Sequence, residues 1–261
     1  MNYCHFQGEG RSIYGLLESR GGEQVITGIF AAAPHRVREA KIEKITPIRL
    51  SEAALLAPVE PSKIVCIGRN YREHAAELGN EVPKEPLIFL KPPSSLLDPG
   101  GKIILPPSSS RVDHEGELGV VIGKTCHNLK QTEDVRPYIL GYTCVNDVTA
   151  RDLQKKDLQF TRGKGFDTFC PVGPIVTDEI DPWAGIAVQT RVNGELRQNG
   201  NTRDFIFPLD AIIRFIAQVM TLVPGDLIAT GTPSGVGPLQ ADDSVEVTIP
   251  GIGTLKNSVG V

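Results

Sequence analysis

The sequence predicts a mostly β protein with few helices. Three observations carry this expectation. Short apolar runs rich in Val and Ile recur along the chain, 27 glycines and 20 prolines among 261 residues separate them, and only three segments show helical spacing. Many short strands between tight turns suit barrel-like or folded-over sheets better than alternating βαβ units.

Residues 1 to about 57 alternate β-like stretches, at Ser12–Leu17, Gln24–Phe30 and Lys44–Leu50, with Gly-rich turns. Pro58 and Pro61 interrupt this pattern before Lys63–Gly68 (KIVCIG), which reads as a buried strand. A boundary is therefore expected near residue 60, dividing a small β-rich N-terminal domain, 1–60, from a larger domain, 61–261. Tyr71–Leu78 reads as a short helix. Leu87–Leu90, Gly116–Ile122 and Tyr142–Asn146 follow as strands, then a helix over Thr149–Gln159 with Asp152 in its first turn. Ile186–Val192 runs into Asn193-Gly194, a dipeptide that supplies the positive φ values of a tight hairpin turn. Pro208–Thr221 is the third helix, with Leu209, Ile212, Ile213, Ile216 and Met220 on one stripe. Leu227–Thr230 and Ser244–Ile249 are the last strands read from the pattern.

Composition narrows the function classes. Thirty-one acidic against 27 basic residues give a net charge of −4, which disfavours nucleic acid and anionic membranes as partners. The most apolar long segment, Ile212–Val223, is broken by Arg214 and Gln218, so no membrane span is expected. The N-terminus lacks the basic and apolar regions of a signal peptide, and a cytoplasmic protein is expected. Five widely spaced cysteines without a C-x-x-C argue against a disulfide framework or a zinc ribbon.

The strongest chemical signal is His114-Glu115-Gly116-Glu117 followed by an apolar run. On a strand, residues i and i+2 share a face, so Glu115 and Glu117 present two carboxylates side by side. Like charges that close need a cation or a shared proton. A solvated strand face is the plain alternative, but the apolar run after Glu117 points to a strand buried on both sides. Asp147 ends another apolar strand, Ile139–Asn146, and adds a third carboxylate. Such an all-oxygen set suits Mg²⁺ or Mn²⁺. His114 points to the opposite face and is expected to pack rather than ligate.

Three further clusters are weaker. His74 and Glu77 lie at i and i+3 of the Tyr71–Leu78 helix, where a carboxylate can orient an imidazole as a general base; an ordinary surface helix gives the same pattern. Arg151 and Gln154 lie one turn apart just past Asp147, and Lys164 follows in the Gly-flanked segment Arg162–Gly165. These suit an anionic, oxygen-rich substrate, or are simply surface cations. The loop Gly231-Thr232-Pro233-Ser234-Gly235-Val236-Gly237 does not have dinucleotide or Walker spacing. Gly231 and Thr232 can offer backbone N–H groups to a carboxylate, and a plain turn explains the loop equally well.

Taken together, G-R-N-Y-x-x-H-x-x-E, F-L-K-P, H-E-x-E-L-G-V-V-I-G, N-D-V-T-A-R-D-x-Q, V-N-G-E-L-R-Q and G-D-L-I-A-T-G-T-P-x-G-V-G resemble, in order, the motifs of the fumarylacetoacetate hydrolase family. The resemblance covers roughly residues 62–261. It implies a mixed β-sandwich roll in a catalytic domain over 61–261, commonly dimeric. It implies metal ligation by Glu115, Glu117 and Asp147, water activation by His74 and Glu77, and polarisation of substrate or leaving group by Lys164. Substrate contacts are implied at Arg151, Gln154 and Thr232, with Arg69, Tyr71 and Lys91 in the same region. Some members carry a fourth acidic ligand near G-R-N-Y, where this chain has the neutral Asn70. That departure points to the branch of smaller substrates: acylpyruvases, oxaloacetate decarboxylases and 2-hydroxyhepta-2,4-diene-1,7-dioate isomerase-like proteins.

The expected activity is therefore Mg²⁺- or Mn²⁺-dependent chemistry on a small anionic 2-oxo acid through a metal-bound enolate. Acylpyruvate C–C hydrolysis and oxaloacetate decarboxylation stand ahead, because the His74–Glu77 pair suits water activation. The alternative is an isomerase or tautomerase, of a 2-hydroxy-diene dioate or of oxaloacetate. A non-catalytic metal-binding protein on the same scaffold is a third possibility, disfavoured by the intact His74, Glu77 and Lys164.

Overall fold

A computed structural model of the protein describes residues 1–8, 10–37 and 40–261. Strands dominate it, as expected, and three sheets hold most of them. Across the largest sheet the order is Ile42–Arg49, Glu23–Phe30, Arg11–Arg20, Asn2–Gly8, Cys170–Thr177, Ile139–Asn146, Gly116–Ile122, Leu227–Ala229, Ile64–Gly68 and Leu87–Lys91. A five-stranded sheet contains Glu195–Asn201, Ala187–Val192, Ser244–Ile249, Gly253–Gly260 and Lys102–Ile104. A small third sheet joins Thr149–Ala150, Val112–His114 and Gly237–Pro238.

Strands at 116–122 and 244–249 keep the bounds read from the sequence, and most others agree within a few residues. The strands that escape the pattern include Asn2–Gly8, Lys102–Ile104, Val112–His114, Cys170–Thr177 and Gly253–Gly260. Cys170–Thr177 contains Pro171, Gly173 and Pro174, which read as breakers. Yet every residue of that strand is buried, and it joins the N-terminal strands to the rest of the sheet through Asn2 opposite Thr177.

Four α-helices occur among the described residues: α1 (Arg72–Glu77), α2 (Arg151–Lys156), α3 (Thr161–Lys164) and α4 (Leu209–Val219). Helix α4 buries Leu209, Ile212, Ile213 and Ile216 in the same core as Leu118, Val120 and Ile122 of the largest sheet. Each such side chain contributes about 1.5–3 kcal/mol by leaving water. The helix expected over Thr149–Gln159 is shorter than its pattern. Thr149 and Ala150 instead pair antiparallel with Asp113 and Val112, and the helix stops at Lys156. Lys164, expected in a loop, ends the one-turn helix α3, whose brevity hides it from periodicity. All five cysteines are buried and unpaired. Among the described residues, no helix is long and apolar enough to cross a membrane.

Sheet register brings the separate motifs to one end of the sheet. Gly116 lies opposite Asn146, so Glu115 and Glu117 flank the point where the partner strand reaches Asp147. Gly119 lies opposite Ala229, which sets Gly231 beside Glu117. Cys66 runs parallel to Ala229 and Gly68 pairs with Leu87. Arg69, Leu87 and Thr232 therefore emerge at the same edge.

Candidate active site

Glu115, Glu117 and Asp147 converge there, offering carboxylate oxygens all within 4.8 Å of one another. The backbone locks the pair of chain segments together: Asp147 N–H donates to Glu115 O at 2.8 Å, and Glu115 N–H donates to the Asn146 side-chain oxygen at 2.9 Å. All three carboxylates are buried. Buried charges need partners, and most find them. Lys164 Nζ donates to Glu115 Oε2 at 2.7 Å and Asp147 Oδ2 at 2.6 Å. Lys91 Nζ donates to Asp147 Oδ1 at 2.6 Å and Val148 O at 3.1 Å. Arg151 bridges Glu115 and Asp113 through separate guanidinium nitrogens.

Glu117 is the exception. Its recorded hydrogen bond comes from a backbone donor, Gly231 N–H to Oε2 at 2.8 Å. Burial, then the negative charges of Asp147 and Glu115, push its carboxyl well above the usual range. Burial presses Glu115 in the same direction, but Lys164 and Arg151 overcome it and hold that carboxyl low. The same carboxylates hold the Lys164 ammonium above its ordinary range against the opposing effect of burial. A hard divalent cation fits this donor set. It would be held by Glu115, Glu117 and Asp147, and it would relieve the one carboxylate of the three that no side-chain cation pairs with among the described residues.

The trio opens into a cavity of about 230 Å³. Arg69, His74, Arg151, Gln154, Lys164 and Thr232 also line it. His74 is buried, and its Nδ1 lies 3.3 Å from Glu77 Oε2. Nε2 makes no hydrogen bond among the described residues, so it is the ring nitrogen left for the cavity. Helix α1 is tied down on its far side. Gly235 N–H donates to Glu77 Oε1 at 3.0 Å and Ser234 Oγ donates to Glu73 Oε2 at 3.1 Å. Gly235 holds φ +97°, and a Cβ there would meet Arg197 O at 2.0 Å, so the position requires glycine.

Several expected residues act at one remove. Lys91 and Gly231 bond the carboxylates but do not line the cavity. Tyr71 faces elsewhere: its ring packs edge-on against Phe205, centroids 5.1 Å apart, and it lines a separate groove with Pro233 and Ser234. The Thr232 hydroxyl proton is committed to Gly116 O at 2.9 Å. His114 packs as expected, its Nδ1 3.2 Å from Gln198 Oε1, and burial lowers its affinity for a proton.

Sequence reading missed the cavity's apolar wall of Leu78, Leu87, Phe89 and Phe160, and also Lys155. The wall residues are scattered over three segments and carry no local signal. Lys155 had one: it follows Arg151 at i+4 and shares the face that Gln154 occupies at i+3.

Residues 63–260 match the family described as fumarylacetoacetate (FAA) hydrolase C-terminal. The chain is 46% identical over 225 residues to oxaloacetate tautomerase YisK of Bacillus subtilis, a match covering 81% of this chain and 74% of the relative. It is 42% identical over 235 residues to the mitochondrial oxaloacetate tautomerase FAHD2B of Bos taurus, covering 85% and 74% respectively. The solved 2-hydroxyhepta-2,4-diene-1,7-dioate isomerase from Mycobacterium marinum aligns with 100% of this chain and 98% of its own, at 40% identity and a TM-score of 0.87. Agreement in sequence over most of the chain and in fold over all of it shows that the protein belongs to the fumarylacetoacetate hydrolase family.

Proposed function

We propose that the cavity catalyses proton transfer on a small 2-oxo acid, with enol–keto interconversion of oxaloacetate as the leading reaction. The observation that carries this reading is one cavity in which three buried carboxylates face an imidazole whose free nitrogen is Nε2. Similarity to relatives named oxaloacetate tautomerase supports the tautomerase alternative over the hydrolytic order expected from sequence.

A Mg²⁺ or Mn²⁺ ion held by Glu115, Glu117 and Asp147 would supply Lewis-acid polarisation of the substrate's keto and carboxylate oxygens. The side chains do the rest. His74 Nε2 takes a proton from one end of the enol–keto unit and returns one to the other, C3 or oxygen. Glu77 fixes the ring through Nδ1 and stabilises the transient imidazolium. Lys164 keeps one N–H beyond those given to Glu115 and Asp147, and Gln154 and Arg151 orient the anionic head. Phe89 and Phe160, packed edge-on with centroids 5.5 Å apart, limit water around the reacting carbon.

Acylpyruvate hydrolysis or oxaloacetate decarboxylation is the second reading. The His74–Glu77 pair favours the hydrolytic form, because a base held by a carboxylate can also activate water. The test is purified protein with Mg²⁺ or Mn²⁺ against a chelator. Enol absorbance is followed with oxaloacetate, and pyruvate release with oxaloacetate and acetylpyruvate. Metal-dependent loss of the enol signal beyond pyruvate formation is expected. Pyruvate release that accounts for the whole change would favour the second reading, and inactivity on both acids would overturn both.

A further inference from the structure

We infer that Arg69 and Lys155 form a second anion-binding pole, which makes the cavity selective for dicarboxylic over monocarboxylic 2-oxo acids. This rests on the 2-oxo acid reading above and adds the substrate class.

Four cationic side chains besides His74 line the cavity: Arg69, Arg151, Lys155 and Lys164. Two are neutralised by the protein itself. Arg151 is shared between Asp113 and Glu115, and Lys164 between Glu115 and Asp147. Arg69 and Lys155 are different. Neither makes an ion pair or a side-chain hydrogen bond among the described residues. Among the described residues their charge is therefore unpaired, in a cavity whose lining also includes the apolar Leu78, Leu87, Phe89 and Phe160. A carboxylate arriving there gains two charge-assisted partners without having to displace a protein anion.

Placement supports the pairing. Lys155 is exposed and lines the cavity from the α2 face that also presents Arg151 and Gln154 to it. Arg69 is half-buried and sits at φ +58°, a left-handed backbone that costs a non-glycine residue free energy. The next residue holds it there. Asn70 is fully buried, its Nδ2 donating to Thr230 O at 2.8 Å and its Oδ1 accepting from Phe207 N–H at 2.8 Å. Strain maintained beside a cavity by a buried side chain, and ending in an unpaired cation, marks a functional position. The carboxylate trio, with a cation held there, would serve the head of a 2-oxo acid. Arg69 and Lys155 serve a carboxylate at the other end of a short chain, whereas a neutral acyl end would leave both cations without a partner.

The test compares ligands that share a chelating head and differ by the distal carboxylate. Malate and lactate are such a pair, and neither is decarboxylated during the measurement. Calorimetry on the Mg²⁺- or Mn²⁺-loaded protein should show malate binding tighter than lactate by about 10–100-fold, the worth of a charged hydrogen bond or two. Lys155→Gln and Arg69→Gln should each erode that preference, and Lys155→Arg should keep it. In turnover of oxaloacetate the same Gln variants should raise KM far more than they lower kcat. A wild type without preference for malate, or Gln variants that retain it, overturns the inference. A wild type that prefers malate but leaves oxaloacetate unchanged overturns the 2-oxo acid activity and leaves the second pole standing.

Discussion

Among the described residues, Glu117 accepts one hydrogen bond, from a backbone donor, lies beside two carboxylates and makes no ion pair with a side-chain cation. Its environment is therefore unfavourable to its own charge until a cation arrives. Mg²⁺ or Mn²⁺ at about a hundred times its Kd should stabilise the protein by about 2.7 kcal/mol, which is roughly 5–10 °C in Tm for a chain of this size. Glu117→Gln should abolish that shift while leaving the metal-free Tm unchanged or higher, since it removes a buried like charge. Differential scanning calorimetry with and without metal checks both, and an undiminished metal shift in the variant would exclude Glu117 as a ligand. His74 is a second test at this scale. Replacing it with Asn keeps a polar side chain of similar reach but removes the proton acceptor, so turnover should fall by about 10²–10⁴-fold with the circular dichroism spectrum retained. Activity within a few-fold of wild type would assign the proton transfer to another group.

Helix α1 has only six residues, too few to be stable by itself, so its position depends on what grips it. The loop over residues 231–237 does so, through Ser234 on Glu73 and the Gly235 amide on Glu77. Ser234→Ala removes one exposed hydrogen bond. It should speed amide exchange across residues 72–78 and lower kcat modestly, roughly two- to ten-fold, the worth of one such bond. Hydrogen exchange read by mass spectrometry decides it, and unchanged exchange would mean that the Glu77 contact alone suffices. A different constraint acts on the strand that carries the carboxylates. A Cβ on Gly116 would lie 2.0 Å from Thr190 Oγ1 and 3.2 Å from Val247 Cγ2, both in the facing five-stranded sheet. Gly116→Ala should therefore cost about 1–3 kcal/mol by overpacking, visible in urea unfolding. A neutral substitution would show that the two sheets can separate at that point.

The N-terminal strands and the rest of the chain bury their apolar faces together. Cys4, Phe6, Leu17 and Ile26 share one core with Val65, Leu118, Val120 and the stripe of α4. Tyr3, Tyr14 and Phe30 share another with Ile64, Val121, Val145 and Cys170. A fragment of residues 61–261 would expose these faces and free an edge of Cys170–Thr177, an open invitation to strand pairing between molecules. It should be less soluble than the full chain and unfold at lower denaturant. A fragment as soluble and stable as the whole protein would show that the shared cores are dispensable.

Sequence alone determined the β-rich class, the paired carboxylates and most of the cavity's polar residues, because these follow from local rules. A period of two sets Glu115 and Glu117 on one face, a period of 3.6 sets the stripe of α4, and motif order carries the family. Only the tertiary structure decided which distant groups meet. The ion pairs of Lys91 and Lys164 with Asp147, the turn of Tyr71 towards Phe205, and the unpaired state of Arg69 and Lys155 depend on sheet register and on contacts between segments far apart in the chain. Cys170–Thr177 stayed hidden for the same reason. Its two prolines and one glycine oppose a strand locally, and burial between neighbouring strands outweighs that preference.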